Sequence, residues 1–297
     1  MRAAAVSVLL LALAGVRCSE PPREWSIGLY RGTSPLDLEP AGPNPVLRAA
    51  DLGIDATFVA DPFLLRRDGR LFLFFEAWRR GTGQGDLCWA ERDAAGAWRY
   101  SGVALDEPFH LSYPFVFEHV GEVFMIPESR SQRDVRLYAA RTFPGRFELR
   151  RVLLTGKRYA DTSLVAWQGR FYLFTSTDNG TLELYFADAL GGPYRLHPRS
   201  PIVAADDCAA RPGGRPIVWR EHVLRFAQCD RPVYGVSVRA FEVTELSPSG
   251  YAERPAGPDP LLTGSGVGWN AGGMHHLDPL VDAGGVLAAV DGWRPVD

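Results

Sequence analysis

An internal repeat of about 50 residues constrains the fold of this 297-residue chain more than any other feature. Each repeat has a polar step, an apolar run, a turn, and a second apolar run that ends in a polar residue. The first polar positions are Asp61, Tyr113, Asp161, Arg211 and Asp278. The residues that end the second runs are Glu76, Glu128, Ser176, Gln228 and Asp291. No long segment has the 3.6-residue apolar period of a helix.

Short strands joined by turns at this period are typical of four-stranded propeller blades. We therefore predict an all-β fold, a five-bladed β-propeller with four-stranded blades. The fifth repeat stops near Trp293 without outer strands, and an open blade would expose unpaired strand edges. Residues 25–30 alternate like a strand, so we predict that this N-terminal strand closes the last blade. The proline-rich residues 31–56 are expected to form an ordered loop or crossover.

The first apolar run, residues 3–16, is too short to span a bilayer and matches the core of a secretory signal peptide. We predict a signal peptide over residues 1–22 and a single propeller domain over residues 23–297. We therefore predict that the protein is secreted or periplasmic. Arg17 disfavours lipoprotein processing at Cys18, and no later apolar run reaches the length of a membrane span.

Composition excludes several other classes of protein. A net charge of −3 without a basic cluster argues against nucleic-acid binding. The chain has no phosphate-binding glycine loop, no Gly-x-Ser-x-Gly elbow and no His-Glu-x-x-His helix, which removes support for nucleotide-driven chemistry and for hydrolases of those types. Cys208 and Cys229 flank a predicted strand pair, and a disulfide or two separate buried thiols are both consistent with that position.

In a propeller the inner strands line a central channel, so equivalent repeat positions converge on one mouth. This convergence gathers the carboxylates of Asp61, Glu76, Glu128, Asp161 and Asp278. Crowded acids raise one another's pKa values, which keeps a carboxylic acid protonated near neutral pH. Glycoside hydrolysis needs that asymmetry, with one acid that donates a proton and one carboxylate that acts as base or nucleophile.

The Ala-Asp-Pro-Phe sequence at residues 60–63 resembles the start of the five-bladed furanosidase clan, glycoside hydrolase families 43 and 32. A closer resemblance is to the N-terminal domain of the plant glucosamine inositolphosphorylceramide transferases and to stand-alone bacterial relatives. It spans residues 24–293 and rests on motifs at residues 25–30, 109–115, 126–129, 160–163, 210–214, 269–270 and 275–278. The resemblance implies that transferase chemistry belongs to a separate C-terminal domain, so we do not predict it here.

The clan resemblance implies a catalytic aspartate on the first blade, matched by Asp61. By position, Glu128 is then the acid and Asp161 the residue that orients or tunes it; Glu76 is an alternative acid at an equivalent position. The expected substrate-binding residues are Glu76, Tyr113, Arg211, His275, His276, Asp278 and Trp269. Two adjacent histidines on a strand point to opposite faces, so we predict no metal site there.

We predict an exported, carbohydrate-active monomer that hydrolyses a glycosidic bond in a glycan. The alternative is a non-catalytic glycan-binding propeller, and a third interpretation is a scaffold for a protein partner. We predict no cofactor, and leave a calcium ion in the axial channel open because clustered carboxylates suit an oxygen-liganded ion.

Overall fold

The computed structural model describes residues 22–296, which form five antiparallel blades around a central axis. The predicted five-bladed β-propeller is confirmed. The predicted signal segment up to residue 21, with Cys18, lies outside the described residues. Among the described helices, none is long and apolar enough to cross a membrane.

The described residues begin with two strands of the last blade, β1 (Arg23–Ser34) and β2 (Asp37–Pro40), and a short 3-10 helix, Ala49–Leu52. The first blade has β3 (Ala56–Arg67), β4 (Arg70–Arg79), β5 (Gln84–Arg92) and β6 (Trp98–Leu105). The second has β7 (Ser112–His119), β8 (Glu122–Ser129), a 3-10 turn (Arg130–Gln132), β9 (Asp134–Thr142) and β10 (Arg146–Thr155).

The third blade has β11 (Ala160–Trp167), β12 (Arg170–Asp178), β13 (Thr181–Ala187) and β14 (Arg195–Leu196). The fourth has β15 (Ile217–Trp219), β16 (His222–Cys229), β17 (Ser237–Leu246) and β18 (Tyr251–Pro255), and β19 (Leu262–Thr263) also pairs with β17. After a 3-10 turn (Gly268–Asn270), β20 (Leu277–Asp282) and β21 (Gly285–Pro295) complete the last blade.

The two ends of the described chain meet in the last blade, as predicted. Strand β1 pairs with β21 from Arg23 opposite Pro295 to Gly32 opposite Val286. The loop expected over residues 31–56 is partly wrong, because β1 continues to Ser34 and β2 then covers its outer edge. Without β2 the outer edge of β1 would present unpaired backbone groups.

The fourth blade departs most from the repeat. Residues 210–213 align with the other inner strands, yet only Pro212 forms an isolated bridge, to Ala227. The Gly213 N–H donates to the Phe226 carbonyl at 2.9 Å and the Gln228 N–H to the Arg211 carbonyl at 3.0 Å, but regular pairing starts only at β15. Nearby, Cys208 and Cys229 form a disulfide that ties this segment to the end of β16. Among the described residues the free cysteine is Cys88, which is buried.

Candidate active site at the mouth of the central channel

Three inner strands contain the same unusual backbone conformation at equivalent positions. Asp61, Tyr113 and Asp161 have φ values of 53°, 50° and 49°, a left-handed region that side chains other than glycine rarely adopt. A register shift in β3, β7 and β11 accompanies each of them. Such strain persists only where surrounding contacts enforce it, and it is concentrated at functional sites.

Carboxyl groups at the mouth accept hydrogen bonds from the backbone N–H groups of these strained residues. The N–H of Asp61 donates to Asp291 Oδ2 at 3.0 Å, and that of Asp161 donates to Glu128 Oε2 at 3.1 Å. In both cases the acid lies on the second strand of the preceding blade. By repeat position Glu76 would do the same for Tyr113, but the Tyr113 N–H donates to Asp61 Oδ2 at 3.2 Å. Glu76 therefore does not hold a backbone N–H of the next blade, as the equivalent residues Glu128 and Asp291 do.

The acids open into a pocket of about 180 Å³ at the end of the channel. Its polar lining includes Asp61, Glu76, Glu128, Arg211 and His275, together with His110 and Ser112. Its apolar lining consists of Trp25, Phe58, Ala60, Trp78 and Tyr234. A small cavity with several aromatic walls and converging carboxyl groups has the composition expected for a site that binds a sugar ring.

Glu76 has an unusual environment for a buried acid. Within residues 22–296 its carboxyl group accepts no hydrogen bond, and the imidazole Nε2 of His110 lies 3.9 Å from Oε1. His110 Nδ1 accepts the N–H of Gly85 at 2.9 Å, so a neutral ring carries its proton on Nε2, the nitrogen nearer Glu76. A Cβ on Gly85 would overlap Glu76 Oε1 and Leu111 O, which makes glycine necessary there.

Burial and crowding raise the pKa values of three carboxyl groups in the pocket. Burial, reinforced by the charges of Asp61 and Glu128, raises the pKa of Glu76 well above its usual value. Burial and then the Asp161 charge raise the pKa of Glu128 to about 8, with Arg211 opposing. Burial raises the pKa of Asp61 to about 7, against the attraction of His275. Near neutral pH the site thus holds both protonated and ionised acids.

Asp161 is locked beneath the pocket rather than lining it. Its Oδ2 accepts hydrogen bonds from Arg211 Nε at 2.6 Å and from Gln228 Nε2 at 2.8 Å. Arg211 also approaches Glu128 Oε2 with Nη2 at 3.8 Å. Asp161 therefore fixes the cation that faces Glu128, which is a positioning arrangement.

The histidine pair does not sit on a strand, so the expectation of opposite faces is wrong. Both residues precede β20, and both rings approach Asp61 Oδ1, at 3.9 Å for His275 and 3.6 Å for His276. His275 Nδ1 lies 2.8 Å from Asp291 Oδ1. Although burial opposes it, the Asp291 charge raises the pKa of His275 to about 9; burial lowers that of His276 to about 3.

Asp61, His275 and Asp291 offer three potential metal-ligand atoms within 4.8 Å of one another. Calcium prefers six to eight oxygen ligands, and this group supplies two carboxylates and one imidazole. The imidazole is already paired with Asp291, whose pKa is held low by the His275 charge despite burial. The donor set is therefore a poor fit for calcium.

Four further predicted binding residues lie away from the pocket. The Tyr113 hydroxyl is buried against Ser163 Oγ at 2.8 Å and donates to the Gly214 carbonyl at 2.9 Å. Asp278 lies deeper in the channel, where Arg215 pairs with it. Trp269 lines a separate groove. His276 is buried between Phe63 and Tyr113, with ring centroids 4.6 and 5.3 Å away, and also does not line the pocket.

The pocket includes several residues that the sequence interpretation did not select. Trp25 stacks on His275 with ring centroids 4.2 Å apart, and Phe58 stacks on Trp78 at 5.7 Å. The Arg211 guanidinium lies 5.4 Å from the Tyr234 ring centroid. Trp25 belongs to a motif that was singled out, whereas Phe58 and Tyr234 lie outside the repeat register and carry no sequence signal.

A family model described as "Glucosamine inositolphosphorylceramide transferase 1, N-terminal" matches residues 18–293. The chain belongs to this family. Curated relatives named glucosamine inositolphosphorylceramide transferase 1 are 36% identical in Oryza sativa subsp. japonica and 33% identical in Arabidopsis thaliana, each over 91% of this chain. The chain spans about 40% of the length of those relatives. The resemblance seen in the sequence is confirmed.

Solved structures with a similar fold include glycoside hydrolases. An exo-β-1,3-galactanase from Clostridium thermocellum aligns with a TM-score of 0.61 and 15% identity, over 78% of this chain and 59% of that one. A family 117 glycoside hydrolase produced by Zobellia galactanivorans aligns with a TM-score of 0.55 and 13% identity, over 92% of both chains. At these identities the similarity shows the fold alone.

Proposed function

We propose that this protein is an exported, carbohydrate-active enzyme that hydrolyses a glycosidic bond in a glycan. One observation carries the proposal: Glu76 is a buried acid at the pocket wall that has neither a cation nor a hydrogen-bond donor of the fold to hold it ionised. Burial and the neighbouring carboxyl groups raise the pKa of such an acid and favour its protonated form, which can donate a proton to a leaving oxygen.

Asp61 is the proposed base or nucleophile. It lines the same pocket and shares the cluster with Glu76, and a pKa of about 7 leaves a large fraction ionised at neutral pH. The Tyr113 N–H fixes its Oδ2 and the nearby histidines face its Oδ1. This division gives one protonated and one ionised carboxyl group, the combination that glycosidic cleavage requires.

Between the two candidate acids, the contacts favour Glu76. Glu128 accepts the Asp161 N–H and faces Arg211, two contacts that oppose the rise of its pKa, although burial and the Asp161 charge still raise that pKa to about 8. Glu76 has neither contact. In this proposal Glu128 and Arg211 bind and orient the sugar next to the reacting bond, and Asp161 fixes Arg211 from beneath the pocket.

A non-catalytic glycan-binding function is the second candidate. It is supported by the extent to which the acids serve the fold, since Asp291, Glu128 and Asp61 each hold a strained backbone N–H. The plant relatives are named for glucosamine and an inositolphosphorylceramide. That name supports a carbohydrate ligand for both the hydrolase and the binding module.

A glycan-array screen with Asp61→Asn, followed by incubation of each retained glycan with wild-type protein, separates the two candidates. Cleavage of a retained glycan by wild-type protein supports the hydrolase, and a retained glycan that survives supports the binding module. Asp68→Asn is the matched control, because Asp68 lies in the exposed turn at the other end of the same hairpin.

A further inference from the structure

The wall of the pocket closes on itself around the mouth of the channel. We infer that the site accepts only the non-reducing terminal residue of a glycan and releases it as a monosaccharide. The inference rests on the proposed function, because it names the part of the glycan that the same pocket binds. It follows from the wall, the floor and the volume of the pocket.

Aromatic rings form the wall over the last and first blades. Trp25 stacks on His275 with ring centroids 4.2 Å apart, and it meets the Tyr234 ring edge-on at 6.2 Å. Phe58 packs against the apolar cluster that contains Trp25, and it stacks on Trp78 at 5.7 Å. These bulky rings contact one another, so this side of the pocket leaves no exit for a second sugar residue.

Charged side chains close the wall on the side of the third blade. The Arg211 guanidinium lies 5.4 Å from the Tyr234 ring centroid, and its Nη2 lies 3.8 Å from Glu128 Oε2. Side chains of the fourth and second blades therefore meet in front of the third blade. Asp161 of the third blade accepts a hydrogen bond from Arg211 Nε at 2.6 Å and so fixes this part of the wall from beneath.

The second and first blades complete the ring of contacts. Ser112 lies opposite Glu128 in the β7–β8 pair, and both residues line the pocket. His110, two residues before Ser112, places its ring 5.3 Å from that of Trp78, which belongs to the aromatic part of the wall. An internal residue of a glycan has chain on both sides and needs a cleft that is open in two directions. A closed wall admits only a chain end.

Side chains also fill the channel beneath the pocket. The Tyr113 hydroxyl of the second blade lies 2.8 Å from Ser163 Oγ of the third, and it accepts the Gly214 N–H at 2.8 Å. The His276 ring is buried between Phe63 and Tyr113, with centroids 4.6 and 5.3 Å away. A glycan therefore cannot pass through the floor, and the mouth is the remaining opening of the pocket.

The volume of the pocket suits one sugar ring. Pockets for drug-sized ligands have volumes of about 300–1,000 Å³, whereas this pocket has about 180 Å³. Asp61 and Glu76 both line this space, so the enclosed ring is the one whose anomeric carbon reacts. The bond to the rest of the glycan must then point out through the mouth. A residue whose anomeric carbon carries the remaining chain is the non-reducing terminal residue.

Each turnover consumes one water molecule. The glycosidic C–O bond breaks as the leaving oxygen of the shortened glycan takes the proton of Glu76. The hydroxyl group of the water becomes bonded to the anomeric carbon of the released monosaccharide, and the remaining proton of the water restores the acid.

The first test blocks each end of the glycan in turn. Each glycan that the array retains on Asp61→Asn protein is prepared with a bulky biotinyl group on its non-reducing terminal residue or with a fluorescent label on its reducing end. Binding of both forms and of the unblocked glycan to Asp61→Asn protein is measured calorimetrically. We expect the group on the non-reducing end to weaken binding about a hundredfold and the reducing-end label to leave it unchanged. Equal binding of the two blocked forms would overturn the inference.

A second test opens the wall. On the Asp61→Asn background, Trp78→Ala and Tyr234→Ala each remove a ring from a different side of the pocket. We expect either change to raise the affinity for the glycan blocked at its non-reducing end, relative to the unblocked glycan, about tenfold. A variant that fails to fold cannot show this gain. Trp219→Ala is the matched control, since Trp219 ends β15 outside the pocket. A gain with neither opening variant would overturn the inference.

The products separate this inference from the proposed function. With wild-type protein the labelled chain should shorten by one residue at a time. Early labelled fragments that are shorter by two or more residues would overturn the inference and leave hydrolysis intact. Recognition of the chain end without any cleavage would contradict the proposed hydrolysis and leave terminal-residue binding intact. If the array retains no glycan, the proposed function and the inference both fail.

Discussion

Two levels of the same channel contain buried acids in opposite environments. Deep in the channel, Asp278 is fully buried with Arg215 Nε at 2.7 Å from Oδ1 and the Leu64 N–H at 2.6 Å from Oδ2. At the mouth, Glu76 is also buried, yet no cation of the described chain is paired with it. The deep acid is compensated, and the acid at the mouth is not.

This difference distinguishes an acid that stabilises the fold from an acid that is available for chemistry in the same channel. A buried carboxylate that is paired and hydrogen-bonded serves the fold, whereas removal of one partner leaves an uncompensated group. Glu76 became uncompensated because Tyr113 takes its contact from Asp61 instead. An uncompensated acid destabilises the folded state, and its retention is expected where function needs a protonated carboxyl group.

The largest expected effect is on catalysis at the mouth. Asp61→Asn should lower turnover of a cleaved glycan by about a thousandfold, because the amide cannot act as base or nucleophile. Asn keeps an oxygen for the Tyr113 N–H, so we expect little change in melting temperature. Rate assays and thermal melts on the same preparation check both, with Asp68→Asn as control; wild-type turnover in Asp61→Asn would contradict the assignment.

The next effect is on stability deep in the channel. Asp278→Asn leaves the partly buried Arg215 guanidinium without its carboxylate partner, which should lower the free energy of unfolding by about 3 kcal/mol. Denaturant titration measures the loss. The double variant Asp278→Leu with Arg215→Met should recover part of it, since both charges are then gone. A single variant as stable as wild-type protein would show that the pair is not structural.

A smaller effect sharpens the choice between the two acids at the mouth. The rate should rise with pH as Asp61 ionises, with a pKa of about 7, and fall at higher pH as Glu76 loses its proton. Glu128→Gln removes a charge that opposes ionisation of Glu76, so it should move the alkaline limb to lower pH. Abolished activity in Glu128→Gln would instead make Glu128 the acid.

The repeat was sufficient to predict the blades and the closure by the N-terminal strand. Strand β2 was missed because Asp37–Pro40 is too short to show alternation. Convergence of the acids followed from their equivalent positions. The sequence could not predict which of these acids lacks a partner. That depends on where the backbone N–H of Tyr113 points and on the space left by Gly85, and neither leaves a pattern in the sequence.

The most direct test of this account is the melting temperature of Glu76→Gln between pH 5 and pH 8. In the unfolded chain Glu76 ionises near pH 4.3, but in the folded protein its pKa is raised, so folding binds a proton and wild-type stability falls as pH rises through this range. Gln is neutral in both states and escapes this loss. We predict a melting temperature roughly 2–6 °C above wild type at pH 8, and a smaller difference at pH 5. A variant that melts below wild type at pH 8 would show that Glu76 is compensated after all, and would contradict the account.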